Sequence, residues 1–275
     1  MVTYTSTIGS VAGGNAYDGD YATLGLWVTA SGNFQHPDIT DGDTLEAVLI
    51  DGLHYNGIST GWPGFSRTHD YTILVRGENS HEGSWSGAPL SGEPGACITQ
   101  KDTGVWHQFG DQNLNIIFRD FVFISSGGTL YIGNQNATSG DSGNYSSLVE
   151  HDRVMFTHDE SYASGLYTWQ VPPFMSPYTA NESRNPSTGE VSAVGKWTFN
   201  FKNCVFETGA SRTIRQITNN NRQQVELEIN LIGTIVHTNT SATTSDFWHL
   251  AATDFTTQYT SGALDSILRV NMSGC

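Results

Sequence analysis

The chain has 275 residues, 30 glycines against 8 prolines, 27 acidic against 12 basic residues, and a formal net charge of −15. An anionic surface of this strength repels phosphate backbones and anionic bilayers, so neither nucleic acid nor a membrane is an expected partner. Abundant Gly, Thr, Ser and Asn, few charges and frequent aromatics favour strands and turns over helices, in one all-β domain of ample size for a core.

From Met1 to Ser66 there is no Lys or Arg, while Asp18, Asp20, Asp38, Asp41, Asp43, Glu46 and Asp51 fall there. That asymmetry reads as solubility, with docking on a basic partner or cation binding as the sharper alternative. The opening MVTYTSTIGSVAGGN has neither a basic segment nor an apolar run, so no secretory signal is expected. Synthesis in a reducing cytoplasm is the expectation. Residues 20–31, DYATLGLWVTAS, place Leu24, Trp27 and Val28 at i, i+3 and i+4, which predicts a helix capped by Asp20. Such a helix suits the task of covering an exposed hydrophobic end. Beyond it, strands are predicted at 45–52, 71–77, 114–125, 129–133, 147–156, 196–207, 224–237 and 266–274. Residues 54–70, 78–95 and 172–195 read as loops, the last a long polar excursion.

One hexamer recurs: FRDFVF at 118–123, HDRVMF at 151–156 and FKNCVF at 201–206. Apolar letters alternate on each side of a short polar break. Ile116 and Phe118 precede Arg119-Asp120, and Phe121 and Phe123 follow. Trp197, Phe199 and Phe201 precede Lys202-Asn203, and Cys204 and Phe206 follow. Strand, sharp corner, strand is the pattern of a β-solenoid coil, with corners near Asp120, Asp152, Asn203 and Gly233 and phenylalanines in register between coils. Asp120 and Asp152 are expected at equivalent corners.

These corners and the YDGDYATLGLWVTAS segment before them resemble the right-handed parallel β-helix superfamily of pectate-lyase type. The resemblance implies a single-stranded right-handed parallel β-helix spanning 1–275. Residues 1–35 would be the N-terminal segment and cap, and 36–275 the coils. The competing fold is an antiparallel sandwich or jelly roll.

Enzymes on this fold use clustered carboxylates. Asp120, Asp152 and Glu150 are the candidate catalytic group, with Asp159 and Glu160 nearby. Corner Asp and Asn residues also satisfy turn amides as routine, and the later corners carry Asn203 and Gly233, so no catalytic residue is expected. PDITDGDTLE at 37–46 departs from the spacing of an EF-hand loop and reads as an acidic turn. The nine histidines have no ligand-like spacing. No cofactor and no metal are expected. Cys97, Cys204 and Cys275 suggest no disulfide framework, and Cys204 reads as a small buried hydrophobe. Trp62, Trp85, Trp106, Trp169 and Trp248 lie in or beside predicted loops, where they would contact a glycan or a protein partner, or pack locally.

Similarity to phage tailspike-like and capsid decoration proteins implies a structural virion protein. It would be a homotrimer on the virion surface, partnered by the major capsid protein. The alternatives are a short tailspike or free polysaccharide lyase or glycosidase, and a glycan-binding module without turnover.

Overall fold

The computed structural model describes residues 1–9, 19–30, 36–55, 69–79, 95–100, 104–107, 115–125, 130–132, 145–158, 169–170, 194–208, 212–215, 224–238, 246–249 and 267–275. In chain order these form β1 (Thr3–Ile8), α1 (Leu24–Ala30), β2 (Thr44–Leu49), β3 (Gly52–Tyr55), β4 (Thr72–Gly77) and β5 (Ala96–Gln100). There follow β6 (Gly104–His107), β7 (Asn115–Ser125), β8 (Leu130–Ile132), β9 (Tyr145–His158), β10 (Trp169–Gln170) and β11 (Val194–Lys202). The last are β12 (Val205–Thr208), β13 (Arg212–Arg215), β14 (Gln224–Ile232), β15 (Ile235–Thr238), β16 (Asp246–His249) and β17 (Ile267–Ser273). The fold is all-β, and every pairing between these strands is parallel. That removes the antiparallel sandwich.

The main ladder runs β1-β2-β4-β7-β9-β11-β14-β17 and remains open at its two ends. A second ladder shares the long strands β7 and β9. In it β3 pairs β5, β5 pairs the second half of β7, and β12 lies between β9 and β15. The two ladders meet at a corner. Asp120, Arg153, Asn203, Gly233 and Gly274 follow one another there in successive layers, with φ of 58°, 54°, 51°, 58° and 64°. At Asp120, Arg153, Asn203 and Gly233 this left-handed residue turns the chain from the first ladder into the second, and Gly274 holds the same position after β17. The corner expected at Asp152 is therefore displaced by one residue. Asp152 lies on the strand, in register with Arg119 and Lys202, and Arg153 makes the turn opposite Asp120. The two aspartates do not occupy equivalent corners.

Period-two alternation sends one side of each strand inward. In the first ladder Ile73, Ile116, Val149, Phe199 and Ile229 form one buried row, and Val75, Phe118, His151, Phe201 and Leu231 form another. In the second ladder Phe123, Phe156 and Phe206 align, with Phe156 and Phe206 stacked at 4.7 Å and 6°. The three Phe-ended hexamers thus lie one above the next, as their sequences predict.

At the N-terminal end, Leu24, Trp27 and Val28 of α1 join the same core as Ile8, so the helical spacing is realised as packing. The cap differs from the expected one. Leu26 N donates to Thr23 Oγ1 at 3.1 Å, while Asp20 accepts from the amide and hydroxyl of Thr7. Thr23, with its short side chain directly before the first turn, fits the N-cap geometry. Strand β1 is also unforeseen: TYTSTI carries few large apolar side chains and gains its place from pairing with β2. The short β3, β5, β6, β10, β13 and β16 have no such signal either, and β3 takes His54 and Tyr55 from the loop expected at 54–70. Of the expected excursion at 172–195, residues 172–193 lie outside the described ones.

His151 is the anomaly of the core. It sits fully buried between Phe118 and Phe201, with ring centroids 5.1 and 4.9 Å away and nearly parallel planes. An imidazole replaces a phenyl ring in an aromatic row. Burial pushes its pKa down from 6.5 to about 3, and burial likewise lowers that of His54. In the unfolded chain His151 takes up a proton as the pH falls through 6.5, whereas the folded chain resists until about 3. The folded state accordingly loses stability as the pH falls across that window.

Two outcomes are expected. Phe156→Ala should lower the unfolding free energy by about 3–5 kcal/mol in urea, because a stacked, fully buried ring is removed. His151→Phe should fold and should lose less stability than the parent between about pH 7 and pH 4.5, measured as the shift in urea midpoint.

Candidate functional site

The three candidate carboxylates project from the corner and the strand leading into it. Glu150 and Asp152 are two residues apart on β9 and so share its outward side. Asp120 stands on the neighbouring corner. The structure thus gathers all three, and it surrounds them with cations. Arg153 Nε lies 2.6 Å from Asp120 Oδ1 and its Nη2 lies 2.8 Å from Asp120 Oδ2, a two-pronged contact. The remaining Nη1 of Arg153 reaches both oxygens of Asp152 at 3.1 and 3.2 Å. Arg119 Nε donates to Asp152 at 3.0 Å, and Lys202 Nζ lies 2.7 Å from Glu150. Three acids and three bases are matched across three layers.

Parallel register explains why. Arg119, Asp152 and Lys202 are direct neighbours in one outward row, and Arg153 faces Asp120 along the crest. The spacing places opposite charges at adjacent positions. The Asp120 carboxylate, as hydrogen-bond acceptor, raises the pKa of Arg153. It also holds a bulky residue in a left-handed conformation that ordinarily costs about 1–2 kcal/mol. The arrangement has the chemistry of an ion-pair clasp across layers. A general acid requires a carboxyl with a raised pKa, and a general base one free to accept a proton.

Beside the clasp runs a row of amides that the sequence reading missed. Asn271 Nδ2 donates to Asn230 Oδ1 at 2.7 Å, Asn230 Nδ2 to Asn200 Oδ1 at 2.9 Å, and Asn200 Nδ2 to Glu150 Oε2 at 3.3 Å. All four occupy one register position. The available signal was an Asn between two apolar residues, as in Phe199-Asn200-Phe201, Ile229-Asn230-Leu231 and Val270-Asn271-Met272.

A third row lies just past the corner. Cys204 Sγ donates to the carbonyl of His151, Thr234 Oγ1 to that of Phe201, and Cys275 Sγ to that of Leu231, at 3.4, 2.9 and 3.5 Å. Each small donor serves a carbonyl one layer back. Cys204 is buried, as expected, and burial pushes its thiol up to about 12, which suits a structural donor and not a nucleophile.

The carboxylates of Asp41, Asp43 and Glu46 in the acidic turn at 37–46 are held by donors of the turn itself and of neighbouring strands and termini, Arg76 Nε and Thr5 Oγ1 both donating to Glu46. Asp43 accepts from Thr40 N, Thr40 Oγ1 and Val2 N, and these bonds, the Thr40 hydroxyl foremost, lower its pKa to about 2. Asp41 accepts from Asp70 N. Among the described residues, no group of three or more His, Cys, Asp or Glu is placed to hold a metal ion. Trp106, Trp169 and Trp248, expected in or beside loops, lie on the short strands β6, β10 and β16. β6 and β10 flank β8 in one small parallel sheet. Trp62, Trp85, Asp159 and Glu160 lie outside the described residues. Comparison with protein-family models, curated proteins and solved structures finds no match to this chain.

The clasp gives a distinguishable prediction at one position. Arg153→Gly removes the ion pairs but also the backbone strain, and should unfold within about 1 kcal/mol of the parent. Arg153→Ala loses the same pairs and keeps the strain, so it should be less stable than Arg153→Gly by about 1 kcal/mol, read from urea midpoints at equal slope.

Proposed function

We propose that the chain is a single-stranded right-handed parallel β-helix and a non-catalytic structural protein of a bacteriophage particle. In this reading it decorates the capsid as a trimer and stabilises the shell. The parallel ladders, the one-residue corners in register and the helix over the N-terminal end are the features that favour a coiled solenoid. The observation that carries the functional reading is the state of the three carboxylates. Asp120, Asp152 and Glu150 are each engaged by an Arg or Lys of the same ridge. A glycosidase or lyase groove needs carboxyl groups turned toward a sugar, with one of them protonated or one free to attack. Here the same residue types knit one layer to the next.

An anionic stack of parallel strands whose ridge charges are paired within the chain suits a part that clamps other subunits. Decoration stabilises by mass action, because the clamp binds the assembled lattice and not its separated subunits. The test pairs two measurements. The protein should sediment with capsids of the phage that encodes it, and should raise the temperature at which they break open. It should release no reducing ends from acidic or neutral polysaccharides. Sugar release that is abolished by Asp120→Asn with Asp152→Asn would overturn the reading and make the ridge an active site.

A further inference from the structure

We infer that the C-terminal half of the corner ridge is where a second copy of this chain packs. The surface comprises Ile232, Gly233 and Ile235 with Val205 and Met155 beside them. Ile232 is 42% exposed and Ile235 60%, on the two flanks of the Gly233 corner. Ile235, Val205 and Met155 occupy one outward row of the second ladder, exposed at Ile235, half-buried at Val205 and Met155, and continuing from Met155 into the buried pair Cys97 and Val122. The crest changes character along its length. Asp120, Arg153 and Asn203 give way to Gly233 and Gly274, which leaves Ile232 and Ile235 as the large side chains beside the crest, while Asn203 Oδ1 lies 2.7 Å from where a Cβ of Gly233 would be.

Electrostatics selects the occupant. Two copies, each carrying −15, repel across most of their surfaces. On this ridge the charges cancel, since Asp120, Asp152 and Glu150 are matched by Arg119, Arg153 and Lys202. A basic partner would be drawn to the N-terminal region, which lacks Lys and Arg through Ser66. A neutral ridge with exposed isoleucines instead suits a molecule of the same strong negative charge. Three copies that turn this ridge toward a common three-fold axis close a ring. This deepens the reading of the chain as an oligomeric shell protein and rests on that reading for its purpose.

Sedimentation velocity on the full chain tests it, with capsid co-sedimentation as a second arm. The parent should associate, and Ile232→Glu with Ile235→Glu should weaken association at least about tenfold, with the far-UV spectrum unchanged. Leu26→Glu, on the exposed side of α1, should associate like the parent. If the double variant does not fold, Ile235→Ser replaces it and should still weaken association. A parent that stays monomeric up to about 100 µM, or a folded double variant that associates like the parent, overturns the inference. A parent that associates through the ridge without sedimenting with capsids supports the inference and overturns the decoration reading. A monomeric parent that does sediment with them does the reverse.

Discussion

The left-handed residue at the corner is the constraint on which the rest depends. Five successive layers place one there, and the first four turn the chain from the first ladder into the second. Because side chains alternate with period two, a slip of one residue would exchange inward and outward faces along a whole strand. The corner fixes that phase. It puts Phe118, His151 and Phe201 inside before the turn and Phe123, Phe156 and Phe206 inside after it. Gly77, in register with this crest, shows how little room there is: a Cβ there would overlap the Asp120 carbonyl.

Once the phase is set, parallel stacking repeats every contact at the next layer. The same position recurs as a buried aromatic row, an outward amide row or an outward charged row. Each row solves a local problem. The aromatic rows fill the interior, and pairs of this geometry add about 0.5–1.5 kcal/mol beyond the area they bury. The row of Cys204, Thr234 and Cys275 satisfies carbonyls just before the turn. The charged row matches acids with bases and holds Arg153 in a conformation that bulky residues avoid. His151 sits in the wrong row for its chemistry, and its neutral state under the surrounding phenylalanines makes the core acid-sensitive.

The ridge gives the functional reading its physical content. Carboxylates that would otherwise invite an enzymatic interpretation neutralise neighbouring cations, and the outcome is a surface with no net charge on a molecule of strong negative charge. Where the ion pairs end, isoleucine and glycine begin. A clamp needs rigidity along its length and a face that tolerates its own copies, and the two proposals draw on one ridge for both.

Much of this was legible beforehand. The recurring hexamers announced the corners, the alternation on each side announced the buried phenylalanines, and the Leu24, Trp27 and Val28 spacing announced the helix. The misses share a cause. The polar run His151-Asp152-Arg153 reads as a bend centred near Asp152, yet the pairing with β7 and β11 keeps His151 and Asp152 on the strand and gives the turn to Arg153. The asparagine row and the short strand β1 escaped notice because neither has a local signature. An isolated Asn or a Thr-rich run acquires meaning only from what lies one layer away. The sequence by itself determined that the long segments around the hexamers are strands, roughly where they bend, and which of their side chains are apolar enough to face inward, because these follow from periodicity within one strand. Only the tertiary structure decided which residues are neighbours across layers. Parallel pairing joins positions some 30 to 50 residues apart, and the acid–base matching, the amide row and the exact turn residue are properties of that register and not of any one segment.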